Sequence, residues 1–173
     1  GARAAGVGAA LAWAAGCGGD ASPAPPAAAT PPITVEALAS PAPEGSAEPN
    51  LAVAPDGFVL SWLEETGPGR HALRFAHLGP GGWSEPGTVM ERENLFVNWA
   101  DFPSLLALED GTLAAHWLEK SGPGTYAYDV RTALSSDGGR SWSPDIIPHR
   151  DGLEAEHGFV SLFSVADAPS GPD

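Results

Sequence analysis

An all-β fold made of repeated four-stranded antiparallel units is what the sequence predicts, on three observations. Short alternating stretches rich in β-branched and aromatic residues run through residues 33–167, separated by Gly- and Pro-rich turns. Their order repeats: Asp56 recurs as Asp110, Trp62 as Trp117 and Gly67 as Gly122, a period of about 55 residues. Each copy closes on a tryptophan followed by serine, at Trp83-Ser84 and Trp142-Ser143. Short strands with periodic Gly and aromatic marks, in units of ~40–50 residues, are the pattern of β-propeller blades.

Taken in order, residues 1–16 carry one charge, Arg3, ahead of an apolar run from Ala4 to Ala15. That run is too short to span a bilayer. It ends in Ala14-Ala15-Gly16, the small residues that precede a signal-peptide cut. Cys17 follows, and the stretch resembles a bacterial lipoprotein signal, in which the cysteine becomes the lipidated first residue. Ala14 stands where that signal usually has Leu. An ordinary signal peptide with an incidental cysteine is the alternative. The resemblance implies an exported protein of the bacterial cell envelope, on the outer membrane or periplasmic face, touching membrane only through a lipid anchor at Cys17. Cys17 is the single cysteine, so no intrachain disulfide can form. Residues 17–32 are rich in Ala and Pro, bury no core, and read as a semi-stiff extended tether.

From residue 33 the composition changes to that of a folded domain, 33–173. Ile33–Leu38 alternates and predicts a strand. The first unit, about residues 50–90, has strands at Leu51–Ala54, Phe58–Leu63, Arg70–His77 and Thr88–Met90. Pro55-Asp56-Gly57, Gly67-Pro68-Gly69 and Gly79-Pro80-Gly81-Gly82 turn between them. The second, about 103–147, has strands at Leu105–Leu108, Thr112–Leu118 and Tyr126–Leu134. A third is expected to begin at about Phe159. Two blades and a first strand cannot close a ring and would leave strand edges exposed. The chain is therefore expected to be the N-terminal part of a longer propeller, with about two and a half blades present. The alternative is a two-sheet product that completes itself by oligomerising.

The most specific motif is Ser135-Ser136-Asp137-Gly138-Gly139-Arg140-Ser141-Trp142. It matches every defined position of Ser-x-Asp-x-Gly-x-Ser/Thr-Trp, at Ser135, Asp137, Gly139, Ser141 and Trp142. In this it resembles the Asp box, or BNR repeat, of the sialidase-like β-propellers. A degenerate copy at Leu78–Trp83 keeps the glycine and tryptophan and loses the aspartate. The resemblance implies a six-bladed propeller when complete, and it makes the box a structural turn between the third and fourth strands of a blade, away from the chemistry. It further implies exo-α-sialidase-like glycoside hydrolysis, resting on three arginines, an Asp acid/base and a Tyr–Glu nucleophile pair. The early Arg-Ile-Pro mark of that family is absent, because no arginine lies between Arg3 and Arg70.

Charge narrows the partners. Eight Lys+Arg against 22 Asp+Glu leave a net charge of -14. That balance argues against nucleic-acid phosphate and anionic lipid as partners, since both call for a basic face. The same charge repels an acidic ligand unless basic residues are focused in a pocket.

Loops that enter the first strand of each unit are where a propeller gathers its ligand groups. Before the second unit, Asp101 lies between Trp99 and Phe102. Desolvation there would raise a carboxyl pKa and suit a general acid, and Asp101 looks like a positional analogue of the sialidase acid/base. Capping a turn before Pro103 is its other reading. Trp99 is a sugar-stacking platform or a core aromatic. Before the third unit, His149, Arg150, Asp151, Glu156 and His157 fall within one polar stretch. Together they could bind an anionic sugar, relay a proton or ligate a metal, or form a solvated loop. Arg150 suits a carboxylate-binding fork, with Glu156 and His157 beside it. No metal-ligand motif is present, so neither metal nor cofactor is expected. His116 reads as a core or channel-lining residue, and Tyr126 and Tyr128 as packing. The function expected is glycan handling, by exo-glycoside hydrolysis or, alternatively, as a non-catalytic surface propeller that binds a glycan or protein.

Overall fold

A computed structural model describes residues 33–165; the signal and tether readings, including Cys17, lie outside the described residues. Within them the fold is all-β, with two antiparallel sheets and no helix. The first sheet holds β1 (Ala47–Ala54), β2 (Gly57–Gly67) and β3 (Arg70–Gly79), joined by tight turns. The outer edge of β3 is shared end to end by β4 (Gly82–Trp83) and β5 (Gly87–Arg92). The second sheet holds β6 (Ser104–Ala107), β7 (Leu113–Lys120) and β8 (Tyr128–Ser135), in that order. Ile146 exchanges both backbone hydrogen bonds with Thr132, at 3.0 and 3.0 Å. It holds in a single bridge the place along β8 that β5 takes along β3.

The repeat read from the sequence is therefore a repeat of geometry. In the first sheet the Ser84 amide donates to the His77 carbonyl at 2.8 Å, and Ser84 Oγ accepts from the His77 amide at 3.0 Å. In the second, Ser143 and Leu134 make the same pair of bonds at 2.8 and 3.1 Å. The serine after each tryptophan thus folds the chain back onto its own strand.

Two segments differ from the sequence reading. Ile33–Leu38 forms no strand, and its alternating Ile33, Val35 and Leu38 side chains are exposed. Alternation supplies a face, but a strand also needs a partner, and Ile33–Leu38 belongs to neither sheet. The segment from Phe159 to Val165 likewise carries no strand; Val160 alone tucks against a small cluster of Phe96, Leu118, Tyr128 and Val130.

The main core lies between the two sheets. Val59, Leu63, Leu73 and Phe75 from the first meet Leu105, Leu113, Ala115 and Trp117 from the second. Burial of each such large side chain contributes about 1.5–3 kcal/mol. An ion cluster seals one end of this interface. Glu119 on β7 is 6% exposed. Its carboxylate accepts from Trp117 Nε1 at 3.0 Å and meets Arg92 of the first sheet and Arg131 of β8, each at 3.3 Å. Both arginines also reach Asp145, at 3.6 and 3.2 Å. Two guanidinium groups and an indole N–H compensate a buried charge that alone would be costly.

Candidate functional site

The chain between the sheets is pinned along β7: the Phe96 amide donates to the Leu118 carbonyl at 2.9 Å and the Lys120 amide to the Asn94 carbonyl at 2.8 Å. This places Asp101 under the second sheet, 4% exposed. Asp101 Oδ2 accepts from the Tyr128 hydroxyl at 2.9 Å, and Oδ1 from the Phe159 amide at 2.8 Å. The turn-cap reading of Asp101 is corrected by this: its partners are 27 and 58 residues away. A buried carboxylate needs donors, and here they come from β8 and from the segment that follows the second unit.

Tyr128 is the hub. Its ring is 1% exposed and stacks on Phe96, centroids 3.9 Å apart. Its hydroxyl lies 2.9 Å from Asp101 and 3.0 Å from Glu156 Oε1, with one proton to donate between them. Burial first, then these two carboxylates, push the phenol pKa far above its ordinary value. The hydroxyl stays protonated and serves as a donor. Glu156 is placed by a short parallel pairing: the Tyr128 amide donates to the Ala155 carbonyl at 3.1 Å and the His157 amide to the Tyr128 carbonyl at 3.2 Å.

Beside Asp101 opens a cavity of about 670 Å³. Asn50 and Leu51 of β1, Ser104 and Leu106 of β6, and Phe102 and Phe159 contribute to its wall. Asp101 is the one ionisable side chain of that wall among the described residues. Trp99, 82% exposed, belongs to no core, which removes the packing reading of that ring.

His116, on β7 behind Ser104, is buried. Its Nδ1 pairs with Ser104 Oγ at 3.0 Å while Nε2 is buried without a partner. Burial lowers its pKa from 6.5 to about 4, against the opposing pull of Asp101. The unfolded chain takes up this proton near pH 6.5 and the folded chain only near pH 4. Stability is thus full above pH 6.5 and falls as the pH drops toward 4, by about 3 kcal/mol at the low end. Urea denaturation between pH 7 and 4 is expected to show this slope, and His116→Gln to flatten it; an equally steep slope in the variant would assign the loss elsewhere.

The remaining predicted residues form a second group. Arg150 is exposed in a separate cleft of about 390 Å³ with Asp129, His149 and Glu154, and makes no ion pair among the described residues. Asp101 and Arg150 do not share a cavity. His157 and His149 stack face to face, centroids 3.7 Å apart and planes 5° apart. His157 Nε2 lies 3.0 Å from Asp151, whose hydrogen bond holds the imidazole pKa above its ordinary value. Sequence reading passed over Asp129 and took Tyr128 as packing. Neither carried a local signal, because their partners arrive from 20 or more residues away.

Residues Ser135–Trp142 build a turn. Asp137 accepts from the Ser135 hydroxyl at 2.8 Å, the Ser141 amide at 2.9 Å and the Ser141 hydroxyl at 2.6 Å. The Ser141 bonds foremost hold its carboxyl well below the usual range. Ser135 Oγ in turn accepts from the Gly139 amide at 2.8 Å. Trp142 meets Phe75 of the first sheet edge-on, centroids 6.1 Å apart. All of this chemistry is spent on holding the turn. No protein-family model matches the sequence, and no match was found among curated proteins or solved structures.

Proposed function

We propose that this chain is part of an exported, sialidase-like β-propeller that binds an uncharged glycan in the cavity beside Asp101. The two sheets with their equivalent Trp-Ser closures are read as its first two blades, and β1 and β6 as the innermost strands that line the channel. The observation that carries the ligand class is the cavity wall. Among the described residues it offers hydroxyl and amide groups (Ser104, Asn50), aromatic faces (Phe102, Phe159) and a single acid, with no cation to hold a sugar carboxylate. Aromatic faces with a few convergent polar groups suit a sugar's apolar face and hydroxyls. Trp99 adds a free ring on the same loop. Export and anchoring at Cys17 complete the reading, with the Ala/Pro tether holding the domain off the membrane.

Hydrolysis is the second reading, favoured by the placement of Asp101 and Glu156 each within hydrogen-bond reach of the Tyr128 hydroxyl. Against it, both Asp101 oxygens hold structural donors and the phenol is kept protonated. The full-length protein is tested by calorimetric titration with neutral and sialylated oligosaccharides, alongside release of fluorophore from a sialoside panel. Binding of a neutral glycan, lost in Phe102→Ala, without release, is expected. Release that disappears in Asp101→Ala would establish hydrolysis instead. Binding confined to sialylated ligands and dependent on Arg150 would overturn the proposal. Membrane fractionation of Cys17→Ser tests the anchor: retention of the variant on membranes would refute it.

A further inference from the structure

We propose that Asp129, His149 and His157 form a binding site for a divalent transition-metal ion of the Zn2+ type. One ligand atom from each, with all three atoms inside a 4.8 Å sphere of mutual distance, converges at the N-terminal end of β8. Asp129 Oδ1 lies 3.6 Å from His149 Nε2 and 3.5 Å from His157 Nδ1. Ligands at 2.0–2.1 Å around a tetrahedral ion stand about 3.3 Å apart, so each histidine already lies within a few tenths of an ångström of that spacing from Asp129. His149 Nε2 is buried with no hydrogen-bond partner, an acceptor left free for such an ion.

The opposite edges of the two rings carry the stronger argument. Asp151 lies 3.0 Å from His157 Nε2 and 3.5 Å from His149 Nδ1. One carboxylate thus faces the outer nitrogen of both imidazoles. Metal-binding histidines use such a carboxylate to fix the tautomer and aim the ring. Two imidazoles and a carboxylate as ligands, with a further carboxylate behind them, select a borderline ion such as Zn2+ over Ca2+, which takes oxygen ligands. An ion lies in the plane of each imidazole that binds it. The rings must therefore turn out of their parallel stack, and the Tyr128 carbonyl, 3.1 Å from His157 Nδ1, gives up that contact or joins the ligand set.

The site spans β8 and the polar stretch that carries Glu156 toward Tyr128. An ion there would fasten residues 149–157 to the second sheet, just ahead of the Phe159 segment that contributes to the cavity beside Asp101. This inference stands independently of the proposed function.

The test is equilibrium dialysis of the purified full-length protein against Zn2+ alone at pH 7.5, with bound metal measured by mass spectrometry. One Zn2+ per chain is expected, with Ca2+ and Mg2+ unable to compete at equal concentration. His149→Gln and Asp129→Asn should abolish stoichiometric binding. Asp151→Asn should retain it with affinity reduced about 10–100-fold. Circular dichroism of each variant without metal establishes that it is folded. Absence of stoichiometric Zn2+ on the wild-type protein, or wild-type affinity in folded His149→Gln, overturns the proposal and leaves the cluster a histidine–carboxylate hydrogen-bond network.

Discussion

Replacing Gly139 by alanine is expected to destabilise the fold by about 2–5 kcal/mol, whereas the neighbouring Gly138→Ala should cost about 1–2 kcal/mol. Both glycines hold positive φ, 85° and 74°, so alanine at either meets the left-handed penalty of about 1–2 kcal/mol. They differ in what a Cβ would meet. At Gly138 nothing lies within 4 Å. At Gly139 the new methyl would overlap the Phe75 ring, which belongs to the other sheet and is already held edge-on by Trp142. Overpacking of this kind adds about 1–3 kcal/mol. Urea midpoints of the two variants measure the difference directly. Equal costs would mean that the turn does not bear on Phe75, and that its glycine is needed for backbone conformation alone.

Gly158→Ala is expected to cost about 3 kcal/mol, and less than that in an Asp101→Ala background. A Cβ at Gly158 would overlap Asp101 Oδ2 and come within 2.9 Å of the Tyr128 ring. The carboxylate must then leave the Tyr128 hydroxyl or the Phe159 amide, and each such charged hydrogen bond is worth about 1.5–3 kcal/mol. Asp101→Ala removes the obstacle together with the bonds. The two changes act on the same atoms, so the double variant should be more stable than the sum of the singles by about 1–3 kcal/mol. Independent, additive costs would show that Gly158 is constrained by Tyr128 and that Asp101 is not the tie described here.

Strand positions were legible because alternation and turn residues are local. Leu51–Ala54, Phe58–Leu63, Arg70–His77 and Thr112–Leu118 all fall within observed strands or a residue beyond them. Ile33–Leu38 shows the limit of that signal: its alternation is as clear, yet a ladder needs a second strand, which no local pattern supplies. Tyr126 and Tyr128 make the same point at the level of side chains. Alternation puts them on one face, but β8 begins at Tyr128, leaving Tyr126 largely exposed and Tyr128 at the centre of a buried network. Asp101 could be singled out from its aromatic neighbours, whereas its partners could not, because hydrogen bonds across 27 and 58 residues follow from topology. The polar stretch 147–158 stood out by its run of charged residues and histidines. Its convergence on Asp129 depended on the pairing of Tyr128 with Glu156, which has no counterpart in residue spacing. The stretch Ser135–Trp142 was the reverse case, because the bonds that hold its turn are local.

The paired serines Ser84 and Ser143 separate two jobs that a hairpin usually combines. Each returns the chain to its own strand by the same two bonds, yet their partners stand seven residues back in one copy and nine in the other. Closure is thus indifferent to the length and chemistry of what it encloses. One copy fills the space with glycine and proline, the other with a carboxylate saturated by hydroxyl and amide donors. The two fillings are not equivalent: Gly139 of the second copy lies against Phe75, while Gly81 and Gly82 of the first copy have nothing within 4 Å of an added Cβ. Foreign residues grafted at Pro80-Gly81 of the first copy can therefore vary while the Ser84 clasp behind them stays the same, and a tag or epitope carried there would be displayed without unzipping the sheet.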